Sequence, residues 1–72
     1  MKNYGVYINI GKRFQEADFQ RLGLCTAKNK QEAIEKVYAA YYGAENDAIV
    51  YPRFVDLVGP STKSRMVAKI EY

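Results

Sequence analysis

Residues 29 to 43 carry a complete helix signature, and stretches that alternate with a period of two stand on both sides of it. Asn29 is a good N-cap residue, and Glu32 follows at the capping-box spacing. Ala33, Ile34, Val37, Tyr38 and Tyr41 recur at helical intervals and form one apolar face. Gln31, Glu32, Glu35 and Lys36 fall largely opposite, and Glu32 precedes Lys36 in the favourable order for a surface pair. Gly43 is the residue type expected just past a helix end, so the spacing predicts a helix from about Lys30 to Tyr42.

Before the helix, Tyr4, Val6, Ile8 and Ile10 alternate with Asn3, Gly5, Tyr7 and Asn9, the pattern of a half-buried strand. Gly11 ends it. A second strand is expected from about Asp18 to Thr26, with Leu22 and Leu24 on one face and Phe19, Gly23 and Cys25 on the other. Its weaker alternation leaves room for a bulge near Gly23. After the helix, Ala48 to Val58 is an apolar, β-branched run interrupted by Pro52. Proline cannot donate to a ladder, so this strand is expected at an edge or bent. Gly59-Pro60-Ser61-Thr62 signals a turn, and Met66, Ala68, Ile70 and Tyr72 alternate in a last strand.

The expectation is one α+β domain over residues 1–72: an antiparallel sheet of about four strands, ordered β-β-α-β-β, with the helix across one face. The helix is expected to pack on Val6, Ile8, Leu22, Leu24, Met66, Ala68 and Ile70. A chain of 72 residues leaves no room for a second domain, and buries only about 60% of the surface exposed in its unfolded form.

Composition then removes function classes. Histidine is absent and there is one cysteine, so no internal disulfide, zinc cluster or histidine-based triad can form. Cys25 reads as a small buried hydrophobe, with no histidine to activate it. Gly11-Lys12-Arg13 lacks the glycine spacing of a phosphate loop. Asp56, between Val55 and Leu57, reads as an outward strand residue paired with Arg53 or Arg65, and Glu16, Glu45 and Glu71 read as solvated. The expectation is a protein without catalytic residues, metal or cofactor. An unpaired thiol, no apolar leader and no run near the ~20 apolar residues of a membrane span point to the cytoplasm and to no membrane partner.

What remains is a tyrosine surplus and a mild basic bias. Seven tyrosines stand in the chain, with eleven Lys and Arg against eight Asp and Glu, for a net charge of +3. Tyrosine pairs a large apolar body with a polar tip and suits interfaces. A protein partner is therefore expected first, through Tyr38 and Tyr42 on the helix and Tyr51 and Pro52 on the third strand. An edge strand near Pro52 would also accept a strand from another chain, a second copy included. The alternative is nucleic acid, held by Lys12, Arg13, Arg21 and Arg53 with Tyr7 and Tyr51 on one sheet face.

Two resemblances rest on the strand-to-helix junction. Thr26-Ala27, followed by Asn29-Lys30-Gln31-Glu32-Ala33-Ile34, resembles the junction of small DpnD/PcfM-like accessory proteins of phages and mobile elements. That resemblance covers the middle third of the chain and implies an accessory protein engaging a host or virion protein. Tyr4 to Gly11 with Leu24 to Ala33 is similar to the arm-type DNA-binding domains of tyrosine recombinases, where a short sheet enters a helix through Thr-x-x-Glu-Ala. In this chain that step is lengthened, running from Thr26 to Glu32-Ala33, and two further strands follow the helix.

Overall fold

The computed structural model describes residues 1–11, 18–51 and 62–71. It has strands β1 (Lys2–Asn9), β2 (Phe19–Ala27), β3 (Ile49–Val50) and β4 (Met66–Ile70), and helix α1 (Lys30–Ala40) between β2 and β3. The four strands form one antiparallel sheet in the order β3-β2-β1-β4, and α1 packs across it. The expected α+β class is thus the observed one. The expected stretches 52–58 of the third strand and 59–61 of the turn lie outside the described residues, as do Asp56 and Tyr72.

The helix forms where its local chemistry dictates. Glu32 N–H donates to Asn29 Oδ1 (2.8 Å), while Glu32 Oε1 accepts from Lys28 N–H (3.2 Å), one residue before the usual capping-box partner. Glu32 and Lys36 approach to 3.6 Å, as their spacing implies. At the far end the regular helix stops at Ala40, two residues short of the expected Tyr42. Gly43 has φ 82°, its N–H donates to Ala40 O, and Ala44 N–H donates to Ala39 O. These are the paired bonds of a glycine-closed helix end.

At the other end of the sheet, Asn9 closes the connection between β1 and β2. Its Oδ1 accepts from Gly11 N–H (2.9 Å) and Asp18 N–H (3.1 Å), and Ile10 N–H donates to Asp18 O (2.7 Å). Ile10 thus falls just outside the strand rather than within it.

The bulge lies where the weak alternation of β2 allowed one. Val6 pairs with Gly23, but Tyr7 pairs with Arg21, so Leu22 is the extra residue. Its consequence is a change of face along the strand. Leu22 is fully buried under the helix with Tyr4, Val6, Ile8, Cys25, Ala27, Ala33, Val37, Met66 and Ala68. Leu24 instead pairs with Gly5 and Ile49, on the face turned away from the helix, and is half-buried. The expectation that Leu22 and Leu24 share the core face is therefore corrected, and so is the grouping of Phe19 with Cys25. Ile70, also expected in the core, sits at the sheet rim and is 41% exposed. Burying a side chain such as Ile8, Val6 or Val37 contributes about 1.5–3 kcal/mol. Ile34, Tyr38 and Tyr41 pack half-buried around this centre.

Candidate functional site

The helix covers one face of the sheet; among the described residues, no element packs on the other. That open face is built by strand alternation. It receives Asn3, Gly5, Tyr7 and Asn9 from β1, and Phe19, Arg21, Leu24 and Thr26 from β2. Ile49 comes from β3, and Val67 and Lys69 come from β4, with Glu71 just beyond.

Glu71 organises the centre of this surface. Tyr7 O–H donates to Glu71 Oε1 (2.7 Å), and Arg21 Nη2 pairs with Glu71 Oε2 (2.7 Å). Its carboxylate lies in the space that a side chain at Gly5 would fill. The cations lie over aromatic rings: Arg21 Cζ is 5.5 Å from the Tyr51 ring centre, and Lys69 Nζ is 5.5 Å from that of Tyr7 and 5.8 Å from that of Phe19. Thr26 Oγ1 donates to Asn3 Oδ1 (3.2 Å) on the same face. Beside the network a shallow concavity of about 380 Å³ is lined by Arg21, Leu24, Thr26, Asp47, Ile49 and Glu71, among others. Ile49, which lines it, is 58% exposed, and Phe19, elsewhere on the same face, is 45% exposed.

Of the residues expected on a basic, aromatic face, Tyr7, Arg21 and Tyr51 are brought together here. Lys12, Arg13 and Arg53 lie outside the described residues. The expected protein-contact residues are divided. Tyr38 and Tyr42 meet edge to face on the helix layer, with ring centres 5.2 Å apart, and Lys63 Nζ lies 4.9 Å from the Tyr38 ring centre. Tyr51 stands on the open sheet face beside Arg21, and Pro52 lies outside the described residues. Glu71, expected to be solvated, is instead the acceptor at the centre of the face. Alternation alone places Lys69 and Glu71 on one side of β4, but which side meets Tyr7 and Arg21 depends on strand pairing.

Cys25 is buried, and its Sγ lies 3.6 Å from Ala33 O, as a donor to that carbonyl. Burial pushes its thiol above the ordinary value, away from the reactive thiolate. Among the described residues no group of acidic, histidine or cysteine side chains could hold a metal, and no helix is long and apolar enough to cross a membrane.

The Tyr7 phenol is held above its ordinary value of 10.0, first by its hydrogen bond to Glu71, then by burial and the Glu71 charge. Because the folded value is raised, this contact's stabilisation is complete below the unfolded value and is lost as pH rises through the folded one. Glu71→Gln is expected to move the Tyr7 titration down toward the ordinary phenol. NMR titration of labelled tyrosine reads the shift; an unmoved Tyr7 would contradict the network.

No protein-family model, curated protein or solved structure matches this chain.

Proposed function

We propose that this chain is a non-enzymatic binding domain that holds another protein against its open sheet face, through Phe19, Tyr7, Leu24, Ile49 and Tyr51. The observation that carries the reading is the pairing of charge with exposed apolar surface. Phe19 and Ile49 stand exposed on this face, while Arg21 is already neutralised by Glu71. An interface centre of this kind is aromatic, poor in unpaired charge and rimmed by polar groups. Cys25, kept as a buried thiol, fits a cytoplasmic setting. The resemblance to DpnD/PcfM-like proteins supplies the context of the proposal: an accessory protein of a phage or mobile element acting on a host or virion protein.

A second reading has one observation in its favour. Lys69 lies beside Tyr7 and Phe19, and Arg21 beside Tyr51, an arrangement that could stack and neutralise single-stranded nucleic acid. The carboxylates of Glu71 and Asp47 on the same surface oppose it, because they repel phosphate.

One set of measurements separates the two. The wild-type chain is expected to recover a defined partner from lysate, and the partner's affinity should fall by about thirtyfold in Ile49→Asp, as for a central interface residue. Tyr42→Ala, on the helix layer, should retain it. Equal affinity in Ile49→Asp would overturn the open face as the binding surface. Nucleic-acid binding that weakens steeply with salt and is lost in Lys69→Ala would establish the second reading instead.

A further inference from the structure

The two edges of the sheet are unequal. At the β3 edge Ile49 and Val50 pair with β2, and Tyr51 N–H extends the contact to Leu22 O (2.8 Å). Beyond them, the Thr26 carbonyl accepts from Lys36 Nζ (2.7 Å), so a helix cation occupies the point where an added strand would bind. Among the described residues, the β4 edge has no such guard. Asn9 N–H donates to Arg65 O (3.0 Å) and Glu71 N–H donates to Asn3 O (2.8 Å), so the odd-numbered residues of β4 direct their peptide groups to β1. Those of Met66, Ala68 and Ile70 therefore point outward. Among the described residues, they meet no partner.

The sequence along this edge is complementary to itself. In an antiparallel pairing centred on Ala68, Ala68 faces its own copy, Met66 faces Ile70, Val67 faces Lys69, and Arg65 faces Glu71. Each outward peptide group then meets an outward peptide group, which is the hydrogen-bonded class of antiparallel pair. The apolar pair joins Met66 to Ile70, the rim residue left 41% exposed in the single chain. The charged pair sets Arg65, which is exposed and has no ion pair among the described residues, opposite Glu71, whose carboxylate already accepts from Tyr7 and Arg21 and would gain a third donor. A shift of one residue would set outward groups against inward ones and put Met66 opposite Lys69 or Glu71.

We infer that two copies of this chain associate through their β4 edges, antiparallel and centred on Ala68, to form one continuous sheet. The two open faces then lie side by side on that sheet, and a strand-to-strand junction of this size belongs to the weak, reversible class of interface. The association is independent of what the open face binds.

Sedimentation equilibrium of the full chain, from micromolar to millimolar concentration, tests this. The mass is expected to rise from 8.2 kDa toward twice that value. Arg65→Glu replaces two attractive cross-strand pairs with repulsive ones and should weaken association by about tenfold or more. Ile70→Lys, at an exposed position, should abolish it, with the melting temperature of dilute protein near that of wild type. Amide exchange on the wild-type chain gives a readout free of mutation: Met66, Ala68 and Ile70 should gain protection as concentration rises. A monomer at every concentration, or a dimer unaffected by both substitutions and without that protection, would overturn the inference.

Discussion

Leu22→Ala is expected to remove about 2–5 kcal/mol, the cost of emptying a fully buried leucine site. A chain of 72 residues has roughly 4–11 kcal/mol in all, so this one change approaches the whole stability. The melting temperature should fall by about 10–30 °C, or the chain should fail to fold. Leu24→Ala is the informative comparison. Leu22 and Leu24 share a face in a regular strand, and the two losses would then be similar. The bulge separates them: Leu22 lies in the buried core with Val37, whereas Leu24 lies half-buried on the open face. Leu24→Ala should cost well under half as much. Equal losses would contradict the register on which the open face depends.

Gly23→Ala is expected to destabilise by about 1–3 kcal/mol, although it adds a single methyl group. The added Cβ would stand 2.2 Å from Ile49 O and 3.1 Å from Val50 Cα. Both are backbone atoms of β3, so a side-chain rotation cannot relieve the clash. Either β3 moves off β2 or β2 shifts against β1. Hydrogen exchange distinguishes this from a general loss of stability. The Tyr51 amide, bonded to Leu22 O, should lose protection before the amides of β1 do. If Gly23→Ala melts with the wild type and keeps Tyr51 protected, the close approach of β3 is wrong. The Tyr41 hydroxyl adds to the same junction, since the carbonyls of Leu22 (2.5 Å) and Tyr51 lie around it. It ties the helix to the bulge and to the end of β3.

The candidate face was partly legible beforehand. Period-two alternation put Tyr7 opposite the core residues of β1, and the helix signature implied that one sheet face would be covered. Tyr7, Arg21 and Tyr51 could therefore be grouped as residues of the other face. Glu71 could not be added to them. A carboxylate near the end of an alternating run looks like any solvated acid until pairing sets Lys69 against Gly5 and brings Glu71 across to Tyr7 and Arg21. The Tyr38–Tyr42 contact follows directly from helical spacing, whereas the separation of both from Tyr51 depends on how β3 joins the sheet.

The helix, its Asn29 cap, its glycine-closed end and the alternation of β1 and β4 all follow from interactions within a few residues along the chain, so those residues suffice to specify them. The strand order β3-β2-β1-β4, the bulge at Leu22 and the Tyr7–Glu71–Arg21 network join positions far apart in the chain. Only tertiary packing decides among such pairings. A one-residue slip would exchange the two faces of a strand at no local cost, and burial of Leu22, Cys25 and Ala27 under α1 selects the register that the chain adopts.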